Sequence, residues 1–315
     1  MASIFISEFI TTEALEELRS QHHVVYEPEA YLDRTHLFAS LSAVDGLIVR
    51  NLTRVDSVLL SSAPQLQIVG RLGVGLENID LPACADRQIA VVPATGANAE
   101  SVAEYIVGAA LVLMRGMLPA TAQTLDGSWP RAHYSSFHEL SGKTMGIVGL
   151  GSIGRVSAKK ARAFGLQCLA YDPALQGDTV DLDDSPIPLV SLERLLASSD
   201  VLSLHLPLLP QTRGLFSAAV LDQMKPGAFL INTARGSIVD ELALAERLRS
   251  GRLGGAAIDV FEKEPATDLS HFSNIPNLIL TPHVSGVTHE SNDRVCALIA
   301  NKVIHFFEAQ QQKNS

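Results

Sequence analysis

The 315-residue chain is too long for one small core, which favours two domains and a cleft. With 47% hydrophobic and 18% charged residues it has the composition of a folded globular protein and leaves no room for a long disordered tract. A formal charge of −10 argues against a nucleic-acid partner, and its three cysteines, Cys84, Cys168 and Cys296, lack the spacing of a disulfide framework or a metal site.

The apolar start, residues 1–10, has no basic leader and carries Glu8, so it reads as a first strand and not as a signal peptide. A helix over 12–21, a strand at 24–26, a helix near 32–41, a strand at 47–49 and a helix near 55–62 follow. A strand at 66–72, a helix from Asp80 and a strand at 89–92 complete the first hundred residues. Strand and helix in strict turn mean a parallel sheet. Past Asn98, residues 99–115 are apolar nearly all round and predict a buried helix. Its most apolar run, 105–114, is only ten residues and too short to span a bilayer, so a soluble, cytoplasmic protein is expected.

A second series of strands is expected at 144–148, 167–171, 201–204, 229–232, 255–259 and 278–281, with helices between most of them. The stretch 175–188, rich in Asp and Pro, reads as a loop. A last helix over about 288–307 repeats apolar residues at Val295, Leu298, Ile299, Val303, Ile304 and Phe307, and needs a surface to pack on.

The strongest local signal is Gly149-Leu150-Gly151-Ser152-Ile153-Gly154, set between a strand and a helix. Gly149 permits the tight turn, Gly151 lets a pyrophosphate approach the backbone, Gly154 allows close helix packing, and the helix-start amides at Ser152 and Ile153 attract phosphate. Asp172, 18 residues after Gly154, ends the next strand where a carboxylate would accept from the adenosine ribose. That carboxylate would repel a 2′-phosphate, which favours NAD over NADP as cofactor. Three later strands run into Asn232-Thr233-Ala234-Arg235-Gly236, Asp259-Val260-Phe261-Glu262-Lys263-Glu264-Pro265 and Thr281-Pro282-His283, which puts a cation, an acid and a histidine in one crevice.

With Tyr171-Asp172-Pro173 and His205-Leu206-Pro207-Leu208, these motifs resemble the D-isomer-specific 2-hydroxyacid dehydrogenases over nearly the whole chain. The resemblance implies an α/β fold of two doubly wound parallel-sheet domains, a Rossmann NAD-binding domain (99–287) inserted in a discontinuous flavodoxin-like substrate domain (1–98 plus 288–315). It also implies a homodimer acting on a small 2-hydroxy or 2-oxo acid. Chemistry and family agree on His283 as the acid/base, Glu264 as the carboxylate that orients it, and Arg235 as the cation that forks onto the substrate carboxylate. Carried over from the family alone are His205, Pro207, Thr212, Thr233, Ala234 and Asp259 as further cofactor contacts, and Val74, Gly75 and Asn98 as substrate contacts. Arg50 takes the place that meets the far end of phosphoglycerate-type substrates. A second anionic group would suit it, which leaves 3-phosphoglycerate, 3-sulfolactate, hydroxypyruvate and glyoxylate open, and Ile6-Ser7-Glu8-Phe9 resembles the opening of sulfolactate dehydrogenases. The regulatory domain of long phosphoglycerate dehydrogenases is not expected after Ser315. Arg131 and His133 read as a solvated loop, with a reach into the cleft from the partner subunit as the alternative. An NAD-sensing binding protein or corepressor on the same scaffold is the alternative. A metal-dependent dehydrogenase is disfavoured for want of ligand spacing.

Overall fold

Short runs of Ile, Val and Leu bounded by polar turns form the strands, and the amphipathic stretches between them form the helices. In the computed structural model, which describes residues 1–182 and 185–314, the chain opens with β1 (Ser3–Ile6), α1 (Thr12–Gln21), β2 (His23–Tyr26), α2 (Arg34–Ser40) and β3 (Gly46–Val49). It continues with α3 (Ser57–Ser62), β4 (Ile68–Arg71), α4 (Leu81–Asp86), β5 (Ala90–Pro93), α5 (Ala99–Met114) and α6 (Met117–Leu125). Then come β6 (Thr144–Val148), α7 (Ser152–Ala163), β7 (Gln167–Tyr171), β8 (Thr179–Val180), β9 (Ile187–Pro188), α8 (Leu192–Ser198) and β10 (Val201–Leu204). The chain closes with α9 (Ala218–Leu221), β11 (Phe229–Asn232), α10 (Glu241–Arg249), β12 (Gly255–Ile258), β13 (Leu278–Leu280) and α11 (His289–Asn314). It divides into two units, residues 1–98 with 287 onward, and residues 99–286.

In the first unit five parallel strands lie in the order β2-β1-β3-β4-β5, the flavodoxin-like arrangement. Side chains alternate across a strand, so Ile4 and Ile6 enter the core on one face and Phe5 the core on the other. Both faces are covered, which is why the strands read as unbroken apolar runs. On the Ile4 side the sheet is covered by α1 and α11. Val295, Cys296, Ile299, Ala300, Val303, Ile304 and Phe307 pack there against Ile48 and Ile68. Gly70 makes the fit possible, since a β-carbon there would lie 2.8 Å from the Ile299 side chain. The side chains of Asp33, Asp56 and Asp80 cap α2, α3 and α4 by accepting first-turn amides.

In the second unit six parallel strands follow the order β13-β12-β11-β10-β6-β7. The sheet continues past β7 through a parallel bridge between Ala170 and Leu189, which supplies a vestigial third strand of the Rossmann order. Helix α5 buries Val102, Ile106, Ala109, Ala110 and Leu113 in the core with Ile147, Ala158 and Ala161.

Three local expectations are corrected. The stretch expected as a loop at 175–188 contains the antiparallel pair β8 and β9, in which Thr179 meets Pro188 and Val180 meets Ile187; Asp183 and Asp184 of that stretch lie outside the described residues. Helix α6 was not foreseen, because none of its nine residues is buried and it has no core-facing stripe to give it away. Helix α11 runs on to Asn314, past the last apolar position that marked its face. Among the described residues no single helix is long and apolar enough to cross a membrane; α5 and α6 together reach that length only across a 54° bend.

Ile299→Ala should destabilise the first unit by about 2–5 kcal/mol, because the vacated space beside Gly70 cannot fully collapse. Urea unfolding measures it, and a loss below about 1 kcal/mol would mean that α11 is not an integral part of that core.

Candidate active site

The long strands of the second unit end on one line. Register pairs Val148 with both Tyr171 and Leu204, Leu204 with Asn232, Asn232 with Ile258, and Ile258 with Leu280. Whatever follows each strand therefore leaves the sheet along a single carboxyl edge, where open α/β sheets bind their ligands.

At the first of these exits Gly149 has φ of +95° and its N–H donates to the Tyr171 carbonyl at 2.8 Å. A β-carbon at Gly154 would lie 2.2 Å from the Gly149 carbonyl oxygen, so the turn closes only with glycine there. Gly151 is the opposite case: it is exposed and a β-carbon would meet nothing within 4 Å, so the space above it is open. Gly151 also precedes α7 with no side-chain cap, and Ser152 is exposed and Ile153 half-buried in the helix's first turn.

Asp172 sits beside this turn. Its carboxylate accepts from the Leu150 N–H at 2.8 Å and the Ala174 N–H at 2.9 Å. A carboxylate has about four acceptor positions, so capacity for two hydroxyl donors remains. Tyr171, Asp172, Pro173, Leu175, Leu189 and Val190 line an open cleft of about 360 Å³. Further along the edge, His205 Nε2 and Thr233 Oγ1 are buried polar atoms with no hydrogen-bond partner among the described residues. Burial pushes the His205 imidazole down to about 4 from its usual 6.5. Ala234 is buried with its N–H on Asn232 Oδ1, while Thr212 Oγ1 donates to the Pro207 carbonyl at 2.7 Å and accepts from the Leu209 N–H. Thr212 thus staples the loop whose exposed corner is Pro207. The open glycine, the uncapped helix start, the carboxylate-edged cleft and the orphaned polar atoms fit a dinucleotide.

The catalytic candidates leave the neighbouring strands. Glu264 Oε2 lies 2.7 Å from His283 Nδ1, and Glu264 Oε1 accepts from the Phe261 N–H at 3.0 Å, so both partners are fixed in orientation. His283 has φ of +56°, a left-handed backbone that a non-glycine residue adopts only where its surroundings impose it. Asp259 does so. Fully buried, its carboxylate accepts from Thr281 Oγ1 at 2.6 Å, the Val284 N–H at 2.8 Å and the Ser285 N–H at 2.9 Å, while its carbonyl takes the His283 N–H at 2.8 Å. Asp259, expected as a cofactor contact, is here the anchor of the histidine loop. Tyr105 extends the anchor by bonding Thr281 Oγ1 at 2.7 Å, a contact across 176 residues that no sequence pattern announces. Arg235 is half-buried between β11 and the following turn, and its Nη1 donates to the Ala234 carbonyl at 2.6 Å. A β-carbon at Gly236 would lie 1.9 Å from the Phe261 carbonyl carbon, so the Arg235 loop and the Glu264 loop are in backbone contact.

Arg50, Val74, Gly75 and Asn98 belong to the other unit. Val74 and Gly75 are half-buried in the loop after β4, and Asn98 Oδ1 is buried without a partner among the described residues. Glu8, which carried no expectation, is buried and accepts from the N–H groups of Arg50, Leu52 and Thr53.

Residues 107–285 match the family model of the D-isomer specific 2-hydroxyacid dehydrogenase NAD binding domain. The chain is 46% identical to an (S)-sulfolactate dehydrogenase of Chromohalobacter salexigens, over 96% of this chain and 97% of that one. A D-3-phosphoglycerate dehydrogenase of Archaeoglobus fulgidus is 34% identical over 99% of this chain, which spans only 58% of that longer relative. Among solved structures, a D-lactate dehydrogenase of Aquifex aeolicus complexed with NAD and lactic acid superposes with a TM-score of 0.83 at 27% identity, covering 98% of this chain and 96% of that one. The chain belongs to the D-isomer specific 2-hydroxyacid dehydrogenase family. It is an NAD-dependent oxidoreductase of 2-hydroxy acids, and these relatives lend nothing to the NAD-sensing alternative.

Two outcomes test the geometry of the cofactor edge. Gly151→Ala should leave the melting temperature within a few degrees of wild type while weakening NADH binding about tenfold or more, whereas Gly154→Ala should lower the melting temperature sharply. Equal effects in the two variants would contradict the open and closed roles of these glycines. The buried His205 sets a pH dependence. The unfolded ring titrates near 6.5 and the folded ring near 4, so between those values the unfolded chain holds a proton that the folded chain refuses. The stabilising contribution of a neutral His205 is complete above pH 6.5 and is lost as pH falls toward 4. In urea melts the stability of wild type relative to His205→Gln should decline through that window, and a pH-independent difference would mean that the folded ring takes up its proton normally.

Proposed function

We propose that this enzyme interconverts a 2-hydroxy acid bearing a second anionic group at carbon 3 and its 2-oxo acid, with 3-sulfolactate and 3-sulfopyruvate the pair best supported. The observation that carries the reaction is the 2.7 Å contact between Glu264 and His283 Nδ1 at the carboxyl edge of the NAD-binding unit. The likeness to (S)-sulfolactate dehydrogenase over almost the full length of both chains supports the substrate, as does Arg50, which has no carboxylate partner among the described residues.

Bound NAD supplies the hydride acceptor, or in reduced form the donor, for carbon 2 of the substrate. His283 takes the hydroxyl proton from the substrate during oxidation and returns it to the carbonyl oxygen during reduction, using Nε2 because Nδ1 is held by Glu264. Arg235 pairs with the substrate carboxylate and polarises the reacting oxygen, a task suited to a planar fork of donors. Val74 and Gly75 offer backbone amides to a substrate carboxylate, and Asn98 a side-chain amide. The turn from Gly149 to Gly154 holds the pyrophosphate, and Asp172 holds the adenosine ribose and disfavours a 2′-phosphate. His205, Pro207, Thr212, Thr233 and Ala234 line the remaining cofactor path, and Asp259, besides anchoring its loop, receives the carboxamide.

The enzyme acts as a cytoplasmic homodimer in this reading. Exposed Met117, Leu118, Leu125 and Trp129, on and after α6, supply an apolar surface suited to a second copy of the chain.

His283→Ala should cut turnover of 3-sulfopyruvate by about 10² to 10⁴ with NADH binding retained, as loss of a general acid requires. Stopped-flow and fluorescence titration measure the two quantities. Turnover equal to wild type would remove His283 from the reaction.

A further inference from the structure

Arg50 is clamped by neutral groups from two distant segments. Its backbone is fixed first: the N–H donates to Glu8 Oε1 at 2.8 Å, and the carbonyl accepts from Asn78 Nδ2 at 3.0 Å. Nη2 of the side chain donates to Asn292 Oδ1 on the first turns of α11, and Cζ lies 5.4 Å from the centroid of the Phe9 ring, just after β1. Phe9 is 47% exposed, so core packing does not account for its place under the guanidinium.

None of these partners removes the positive charge. Glu8, the nearby carboxylate, has its oxygens on the amides of Arg50, Leu52 and Thr53, and no ion pair to Arg50 occurs among the described residues. A guanidinium has five N–H donors in one plane. One neutral oxygen on Nη2 and the Phe9 ring against Cζ fix the orientation, and leave the charge and the remaining donors for an incoming anion. An aspartate in the place of Asn292 would hold the same N–H but cancel the charge that an anionic substrate needs.

We propose that Asn292 and Phe9 are positioning residues that hold Arg50 for the second anionic group of the substrate, and so set the preference for doubly over singly anionic 2-oxo acids. This rests on the reading above that Arg50 meets that group. The test measures KM and kcat with NADH for 3-sulfopyruvate and for hydroxypyruvate, which lacks the second charge, in wild type, Arg50→Ala, Asn292→Asp and Phe9→Leu, with melting temperatures alongside. Asn292→Asp should raise KM for 3-sulfopyruvate about tenfold or more, and Phe9→Leu severalfold, with kcat and the KM for hydroxypyruvate within about twofold of wild type. A purely structural role would instead shift both substrates together with the melting temperature, and would overturn the clamp. If Arg50→Ala raises KM for 3-sulfopyruvate but neither Asn292→Asp nor Phe9→Leu does, the clamp fails and the substrate reading stands. If wild type does not reduce 3-sulfopyruvate, or Arg50→Ala leaves its KM unchanged, the substrate reading fails and takes the clamp with it.

Discussion

The buried carboxylate of Asp259 is the interaction on which the candidate site depends. Taking an ionised carboxylate out of water is costly unless its lone pairs find donors, and here one side-chain hydroxyl and two backbone amides occupy three of about four acceptor positions. All three donors come from the segment that carries His283. The left-handed backbone of that histidine costs on the order of 1–3 kcal/mol by itself, and it persists because the surrounding hydrogen bonds over-determine it. The strain therefore marks a ring set in place by the fold and not by a preference of its own chain segment.

The second unit treats its polar groups in two ways. Some are satisfied within the scaffold: Asp200 receives the Thr144 N–H and the Lys225 ammonium, Ser191 caps α8, and Asp240 caps α10. The Lys225 ammonium and the Thr144 amide hold the Asp200 carboxyl below its usual range against the opposing effect of burial. At the carboxyl edge others are not: His205 Nε2 and Thr233 Oγ1 are buried without partners among the described residues, and Gly151 faces open space. Buried polar groups without partners are costly in a folded protein, so a ligand that completed His205 and Thr233 at this edge would remove that cost.

Arg50 shows the same logic in the first unit. Two other cations of that unit pair with carboxylates, Arg34 with Asp56 and Arg19 with Glu16. Arg50 is instead oriented by an amide oxygen and a ring face. In a chain with a net charge of −10, a part-buried cation kept from carboxylates is a selective feature, because an anionic ligand must be met by local positive charge.

Sequence by itself determined most of the elements and the class of reaction. Alternating apolar runs specified two parallel sheets, since strands covered on both faces need Ile, Val and Leu throughout. The glycine turn and Asp172 were legible because their spacing is imposed by the local strand, turn and helix. Arg235, Glu264 and His283 were legible as strand-end residues. What the sequence could not supply was anything fixed by contacts distant along the chain. Helix α6 buries no residue and so left no periodic signature, and the strand pair in 179–188 is too short to show alternation. Tertiary structure alone decided that Asp259 anchors the histidine loop, that Tyr105 joins it through Thr281, and that Asn292, 242 residues away, orients Arg50. Those roles follow from register and packing, which bring together side chains whose separation in the chain carries no pattern.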